Sequence, residues 1–230
     1  MVPLNNHLPM TVSPTIIGEA RSLTKRKEED VMKTIHVISH THWDREWYRT
    51  FQQFRLQLVH LVDGLLDMLA KDPNYKYFML DGQTIVLDDY LLMRSEAEDT
   101  LKEHVRNRRI LIGPCHILPD MFLASPEAHI HNLLVGEREA RKFGQKMMIG
   151  YMPDSFGHIG QMPQILRGFG MENACLWRGL DDQPAGFWWQ FPDGSRVLTM
   201  YLHDHPLWTA PGIYRSCVMC VLCAVLSGKQ

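Results

Sequence analysis

Hydrophobic residues recur along this chain in two patterns, at spacings of three to four residues in some stretches and in short unbroken runs in others. The first pattern, together with capping residues, predicts helices over residues 51–70, 95–107 and 125–143. The second helix opens on Ser95-Glu96-Ala97-Glu98, a capping-box sequence. The third opens on Ser125-Pro126, an N-cap followed by a first-turn proline. Asp72-Pro73-Asn74 and Gly144 end the first and third helices.

The short apolar runs predict strands. They are Ile35–Ser39, Tyr75–Leu80, Ile110–Ile112, Lys146–Tyr151 and Asn173–Trp177. Phe187–Phe191 and Arg196–Leu202 flank Pro192-Asp193-Gly194-Ser195 and predict a hairpin, and Gln164–Arg167 predicts a short helical turn. Strands that alternate with helices imply a mostly parallel sheet joined by right-handed crossovers, so the pattern predicts an α/β fold.

Composition places the chain among globular domains and argues against two classes of function. Its 230 residues, 45% hydrophobic and 22% charged, predict one domain with a sizeable core. The net charge of -2 argues against a nucleic-acid-binding face and against a polybasic membrane anchor. The 12 histidines are many for this length and favour metal or acid–base chemistry, although drift in composition explains them as well.

The two ends of the chain differ from its middle. Residues 1–31 carry prolines and then the charge run Arg21–Asp30, which predicts a disordered or extraneous extension before a domain that starts at Met32. We recognise no signal-peptide pattern and no apolar stretch of the ~20 residues that span a bilayer, so we expect a cytoplasmic location. Three of the five cysteines crowd between Cys217 and Cys223, which is not the pattern of a disulfide framework.

A His-x-Asp pair, His42 and Asp44, follows the first predicted strand. Residues two apart at a strand end can point the same way, and active sites of α/β sheets and barrels lie at such ends. An imidazole nitrogen and a carboxylate oxygen suit a divalent metal such as zinc. A lone pair of this kind more often caps or hydrogen-bonds a loop, so the interpretation needs a second element.

The segment Ile149–His158 is that second element. It follows another apolar run and places a further carboxylate, Asp154, at a strand end. Two elements of the type strand–carboxylate–loop predict one pocket assembled from several strand ends.

Four ordered segments resemble the N-terminal catalytic domain of the glycoside hydrolase family 38 α-mannosidases, in particular the bacterial type. They are His40–Tyr48, Tyr77–Thr84, Gly150–His158, and Phe169-Gly170 through Trp177-Arg178-Gly179. Four motifs in the family's order, from about His36 to about Leu202, are more specific than a single short pattern. The resemblance implies a mostly parallel distorted β/α barrel of the glycoside hydrolase and deacetylase-like kind, with its site at the carboxyl ends of the strands.

The resemblance also implies roles for particular residues. Asp154 corresponds to the nucleophile of a retaining mechanism, which uses two carboxyl groups. His42, Asp44 and Asp154 correspond to ligands of a divalent metal, zinc above all, and His40 supports this ligand shell by hydrogen bonding.

Four further residues are implied to bind the sugar, and each has a structural alternative. They are Trp47, Asp120, Phe156 and Arg178. Trp47 matches the aromatic residue on which the sugar face stacks, and Phe156 adds an apolar wall, but either can instead be a core aromatic. Asp120 lines up with an acidic position near the sugar and is otherwise a turn residue after Pro119. Arg178 lies beside the nucleophile by resemblance and is otherwise one half of an ordinary ion pair.

The chain departs from the family pattern in three places. Cys115-His116 stand where the family usually has Trp-Tyr, and Met121 stands where it usually has an acidic residue. In the family, the general acid/base and a further histidine ligand lie far beyond Asp154, in sequence that this chain lacks. After about Leu202 the pattern is lost, so residues 32–202 are predicted as a partial catalytic domain and 203–230 as an aberrant, poorly packed tail.

These observations leave three functions open. The first is a metal-dependent retaining α-mannosidase domain, incomplete for turnover, whose partner is an α-mannoside or a mannose-containing oligosaccharide. The second is an inactive truncated fragment with residual metal or sugar binding, and the third is a metal-dependent carbohydrate deacetylase-like hydrolase. The context of Asp154, Tyr151–Gly157, favours the first over the third, whereas chain length favours the second for actual turnover. An oligomer is compatible with the family.

Overall fold

A computed structural model of the chain describes residues 34–36, 38–202, 220–221 and 225–227. The helices are α1 Phe51–Lys71, α2 Ile85–Leu91, α3 Glu98–Arg106, α4 Pro126–Phe143 and α5 Met162–Gly168, and a 3-10 turn at Ser95–Ala97 precedes α3. The strands are β1 Thr34–His36, β2 Ser39–Thr41, β3 Phe78–Leu80, β4 Ile110–Leu111, β5 Ile149–Met152, β6 Asn173–Leu176, β7 Gly186–Gln190, β8 Arg196–Tyr201, β9 Cys220–Val221 and β10 Val225–Ser227. Among the helices described, none has the length and apolar character needed to cross a membrane.

The central strands lie in two four-stranded sheets. In the first, β4, β3 and β2 are parallel neighbours, and β9 pairs antiparallel with β2. In the second, β5, β6 and β8 are parallel, and β7 pairs antiparallel with β8 as the predicted hairpin. The backbone N–H of Met147 donates to the carbonyl of Ile112 at 2.9 Å, which continues the order from β4 towards β5. This is the order of a distorted, mostly parallel β/α barrel, so the predicted α/β fold class is confirmed.

Helix α1 buries one face on the first sheet. The residues of this face are Phe54, Leu58, Val59, Leu61, Val62, Leu65 and Leu69. They share a hydrophobic cluster with Phe78, Leu80 and Ile110 of the neighbouring strands. A second cluster joins α5 to β5, β6 and β8, and a Cβ added to Gly150 would lie only 2.5 Å from Leu166 Cδ1. Because both cores fix strands whose carboxyl ends lead into loops, those loops start from rigid positions.

Three local predictions differ from the structure. The predicted strand Ile35–Ser39 is divided between β1 and β2, which belong to different sheets. The predicted capping box at Ser95 is wrong, since α3 has Ala97 at its N-cap and no side-chain cap bond. Helix α2 is absent from the prediction because its Ile-Val-Leu start is typical of strands, and tertiary packing of its buried Leu87 and Tyr90 overrides that preference.

Parts of the prediction lie outside the described residues. These are the N-terminal extension 1–31 and most of the predicted tail, including His203-Asp204-His205. Of the tail, the backbones of β9 and β10 are described, and β10 pairs antiparallel with β1. The division of the chain at about Leu202 therefore stays a prediction.

Ser125 provides a test of the capping assignments. Its hydroxyl accepts a hydrogen bond from the backbone N–H of Ala128 at 3.2 Å, at the start of α4. We expect Ser125→Ala to lower the free energy of unfolding by about 1 kcal/mol, because an N–H group at the helix start loses its acceptor. Ser95→Ala is the matched control and should change stability by less than about 0.5 kcal/mol. Urea unfolding followed by circular dichroism measures both, and equal losses would contradict the assignment.

Candidate metal centre and active site

His42, Asp44 and Asp154 meet at the carboxyl ends of β2 and β5. His42 Nε2 lies 3.8 Å from Asp44 Oδ2 and 3.4 Å from Asp154 Oδ2. One ligand atom from each residue lies within 4.8 Å of the other two, and all three side chains are partly exposed. One imidazole nitrogen and two carboxylate oxygens at this spacing form a cluster that can hold a divalent cation.

Trp43 explains why its two neighbours face the same way. Its side chain is only 3% exposed and packs edge-on against Phe54, with 5.8 Å between ring centroids. Since successive residues of an extended segment point to opposite sides, burial of Trp43 turns His42 and Asp44 outward together. The backbone of Trp43 is held from both sides, because its carbonyl accepts from Gln83 Nε2 at 2.8 Å and its N–H donates to Asp81 Oδ2 at 2.6 Å.

Asp81 is a fourth member of the cluster. It follows β3, the parallel neighbour of β2, and it is fully buried. Its Oδ1 lies 3.4 Å from His42 Nδ1, on the opposite side of the ring from Asp154. The backbone turns sharply here, with φ of 47° at Asp81 and 66° at Gly82. A Cβ on Gly82 would lie 2.7 Å from Tyr151 Cδ1, so glycine is required at this position.

Asp81 lies in the segment Tyr77–Thr84 that resembles the family, but the sequence analysis predicted no role for it. The signal that could have identified it is a carboxylate directly after a buried strand, in the same position relative to β3 that His42 has relative to β2. Because parallel neighbours end at the same edge of a sheet, their first loop residues come together.

The carboxylates around His42 favour a positive charge on its ring. Burial by itself lowers the pKa of His42, but hydrogen bonds to Asp154 and Asp81 outweigh it and raise the pKa to about 11. Burial raises the pKa of Asp44, and the neighbouring Asp154 and Asp81 act in the same direction. A cation bound at this cluster would relieve the repulsion among these carboxylates.

Arg178 pairs with Asp154 and helps to keep it ionised. Its guanidinium contacts Asp154 Oδ1 and lies 4.3 Å above the ring of Phe156. Burial raises the pKa of Asp154, but the hydrogen bond and charge of His42, followed by those of Arg178, bring it below its usual value. Gly179 has φ of 78°, and its Cβ would lie 2.5 Å from the carbonyl oxygen of Ser155. This close packing of two loops places Arg178 beside Asp154.

The predicted aromatic residues are exposed. Trp47 is 75% exposed and Phe156 is 68% exposed, so neither is a core aromatic. Trp47 lies on the loop that carries His42 and Asp44, whereas Phe156 lies on the loop that carries Asp154. The ring of Trp47 is therefore available to a ligand, as is the face of Phe156 that Arg178 does not cover.

Asp120 and His40 have local partners. The backbone N–H of Phe122 donates to Asp120 Oδ1 at 3.3 Å, which is the turn role named as the alternative. His40 is buried, and its Nδ1 is 3.1 Å from the carbonyl oxygen of Thr41. The hydrogen bond described for His40 is therefore to the backbone of β2 and not to a side chain of the cluster.

Two of the three residues that replace the family's usual pattern after β4, Cys115 and Met121, are packing residues, whereas His116 is part-buried with its Nδ1 3.2 Å from Thr84 Oγ1. Cys115 is 6% exposed and Met121 is fully buried, and burial raises the pKa of the Cys115 thiol to about 12. The cavity beside Cys115 measures about 10 Å³, which is room for one water molecule at most. Surrounding side chains therefore fill nearly all of the space next to this smaller residue.

The cluster lies at strand ends, where β/α barrels build their active sites. The family described as "Glycosyl hydrolases family 38 N-terminal domain" matches residues 32–220. The chain therefore belongs to glycoside hydrolase family 38 through its N-terminal domain, of which it carries a part, and this confirms the family recognised by resemblance. The match extends beyond Leu202, where the sequence-based boundary lies.

Individual relatives agree with this assignment. The chain is 45% identical over 185 residues to a Halalkalibacterium halodurans protein named "Putative mannosylglycerate hydrolase", covering 74% of this chain and 21% of the relative. It is 27% identical to α-mannosidase G of Dictyostelium discoideum, over 73% of this chain and 16% of the relative. The crystal structure of an α-mannosidase from Enterococcus faecalis V583 superposes with a TM-score of 0.69 at 39% identity, over 71% of this chain and 19% of that chain. The chain thus spans about a fifth of the length of these relatives.

Proposed function

We propose that this chain carries the metal-binding and nucleophilic part of the active site of a retaining α-mannosidase. The observation that carries the proposal is the convergence of His42, Asp44 and Asp154 at the ends of two strands that are far apart in sequence. Membership of family 38 and relatives named as α-mannosidases support the glycosidase class. The substrate proposed is a terminal α-mannoside, free or in a mannose-containing oligosaccharide, so the reaction belongs to mannose metabolism.

Zinc is the metal proposed for this site. His42, Asp44 and Asp154 supply one nitrogen and two oxygen donors, and zinc binds both donor types. The buried Asp81 Oδ1 lies 3.4 Å from His42 Nδ1, which fits the usual arrangement in which a carboxylate supports a ligand histidine. When bound, the cation would supply Lewis acidity towards sugar hydroxyls and favour a distorted ring near the oxocarbenium-like transition state.

Asp154 is proposed as the nucleophile. One of its oxygens faces Arg178 and the other faces His42, so the carboxylate is held in a fixed orientation and remains ionised. Attack on the anomeric carbon forms a glycosyl ester as the bond to the leaving oxygen breaks. Arg178 stabilises the charge on Asp154 before the attack takes place. The exposed faces of Trp47 and Phe156 offer stacking surfaces to the sugar.

A second carboxyl group must give a proton to the leaving oxygen and later activate water. We assign this role to no described residue, because the resemblance places that carboxylate beyond Asp154. Asp120 stays a candidate for sugar contact. The expected cytoplasmic location and a possible oligomer also stay predictions.

The proposal is tested with a substrate whose leaving group departs without a proton. We expect the 230-residue chain, supplied with Zn²⁺ or Co²⁺, to release dinitrophenolate from 2,4-dinitrophenyl α-mannoside, while the methyl α-mannoside is not cleaved. The anomeric configuration of the first product, read by proton NMR with methanol as acceptor, is expected to be α. The β-mannoside is the matched control substrate. Equal cleavage of both anomers, or a product of inverted configuration, would overturn the proposal.

A further inference from the structure

Asp81 is a buried carboxylate with an unusual set of partners. Its Oδ2 accepts two hydrogen bonds, from the backbone N–H of Trp43 at 2.6 Å and from Gln83 Nε2 at 2.8 Å. Its Oδ1 is buried and lies 3.4 Å from His42 Nδ1, and among the described residues no other group is in position to donate a hydrogen bond to it. A buried carboxylate oxygen left unpaired is costly, so the ring nitrogen of His42 is the donor that this oxygen requires.

We propose that Asp81 is a positioning residue that keeps a proton on His42 Nδ1 and thereby reserves Nε2 for the metal. This inference rests on the proposed function only for the identity of the ligand at Nε2. The two ring nitrogens of His42 differ in role, because the hydrogen-bond partner of one nitrogen decides whether the other is protonated or free to bind a metal. Nε2 is the nitrogen that faces Asp44 and Asp154, so it is the one that must present a lone pair to a cation.

The surroundings of Asp81 fix its orientation. Gln83 Nε2 also donates to the carbonyl of Trp43 at 2.8 Å, and its Oε1 accepts from the backbone N–H of Leu118 at 3.3 Å. Both ends of the Gln83 amide are therefore occupied, and its N–H group cannot turn away from Asp81. With both donors directed at Oδ2, Oδ1 is left to face the ring of His42.

This orientation makes Asp81→Asn a sharp test. The carbonyl oxygen of the new amide must take the place of Oδ2, because two N–H donors point at that place. The amide NH₂ group then takes the place of Oδ1 and faces His42 Nδ1. In the neutral ring that binds a cation, a donor opposite Nδ1 favours the tautomer with its proton on Nε2, where that proton blocks the metal. The substitution changes the direction of one hydrogen bond with almost no change in shape.

Asp89→Asn is the matched control. Asp89 is 4% exposed and accepts two hydrogen bonds from Arg45, at 2.7 and 2.9 Å, on the same loop that carries His42 and Asp44. It therefore supports the loop as a buried carboxylate, and its described contacts do not include His42. A loss caused only by loosening of the loop would appear in both variants.

The experiment measures Co²⁺ binding by absorbance and the protonation of His42 by ¹⁵N NMR, in the 230-residue chain and both variants. We expect Asp81→Asn to bind Co²⁺ about 10- to 100-fold more weakly than the original chain, and Asp89→Asn to bind it within about threefold of the original affinity. The Nδ1 atom of His42 should carry a proton in the original chain and in Asp89→Asn, but not in Asp81→Asn. Circular dichroism checks that each variant is folded.

Other results would count against the inference in distinguishable ways. Unchanged Co²⁺ affinity in Asp81→Asn, equal losses in both variants, or an unprotonated Nδ1 in the original chain would each overturn the role of Asp81. If the original chain binds no Co²⁺, the proposed metal function fails, and the NMR signal of Nδ1 still decides whether Asp81 fixes the ring.

Discussion

Replacement of Asp154 by asparagine is expected to lower the release of dinitrophenolate from 2,4-dinitrophenyl α-mannoside by on the order of 10⁴-fold or more. Loss of a nucleophile or its direct support in other hydrolases has effects between about 10⁴ and 10⁶. The amide cannot form the glycosyl ester, and it also loses the charge that Arg178 and His42 stabilise. The rate is measured with saturating Zn²⁺ or Co²⁺, so that weaker metal binding is separated from loss of attack.

The covalent step can be observed directly. Because dinitrophenolate departs without a proton, the first step with this substrate is fast relative to the later attack by water or methanol, so the glycosyl ester on Asp154 should accumulate before it is released. Mass spectrometry of the digested chain should then find one mannosyl unit on the peptide that contains Asp154. Asp67→Asn is the control, because Asp67 is 59% exposed on α1 and pairs with Lys71. A mannosyl unit on another residue, or the same rate in Asp154→Asn, would refute the assignment.

The core of this site could be predicted from sequence because its residues follow simple strand rules. A buried Trp43 between two polar residues means that His42 and Asp44 share a face, and the structure shows this arrangement. Parallel strands end at a common edge, which brings Asp154 to the same place. Pairing of Arg178 with Asp154 depended on the family resemblance, since an arginine after a strand has many possible partners.

Other features depend on contacts that no local pattern encodes. The role of Asp81 follows from the register that sets His40 opposite Met79, which brings the residues after β2 and β3 together. Helix α2 forms although its first residues favour a strand, because its buried face packs on α1 and Asp89 binds Arg45. The Ser95 capping box fails because the chain makes a 3-10 turn there. Local sequence is a weak guide wherever tertiary contacts decide the backbone.

Replacement of His42 by alanine is expected to remove most of the metal affinity of the cluster. The variant retains Asp44 and Asp154, but two carboxylates without the nitrogen ligand are a poorer site for zinc. We expect the dissociation constant for Zn²⁺ to rise by more than about 100-fold. Substitution of a residue that only supports a metal ligand typically costs up to about that much. Competition with a chromophoric chelator measures this constant without any need for turnover.

His131→Ala is the matched control for this experiment. His131 lies on the exposed face of α4 beside Glu127, with its side chain 68% exposed, and is an accessible imidazole next to one carboxylate. If exposed histidine–carboxylate pairs account for metal uptake, the two variants should lose affinity equally. If the cluster at the strand ends accounts for metal uptake, only His42→Ala should lose affinity. Two carboxylates converge on Nε2 of His42, and a third, Asp81, lies against its Nδ1, whereas His131 is described with one carboxylate. Unchanged Zn²⁺ affinity in His42→Ala would therefore remove the metal from the proposed mechanism and leave Asp154 and Arg178 as an ion pair without a cation beside it.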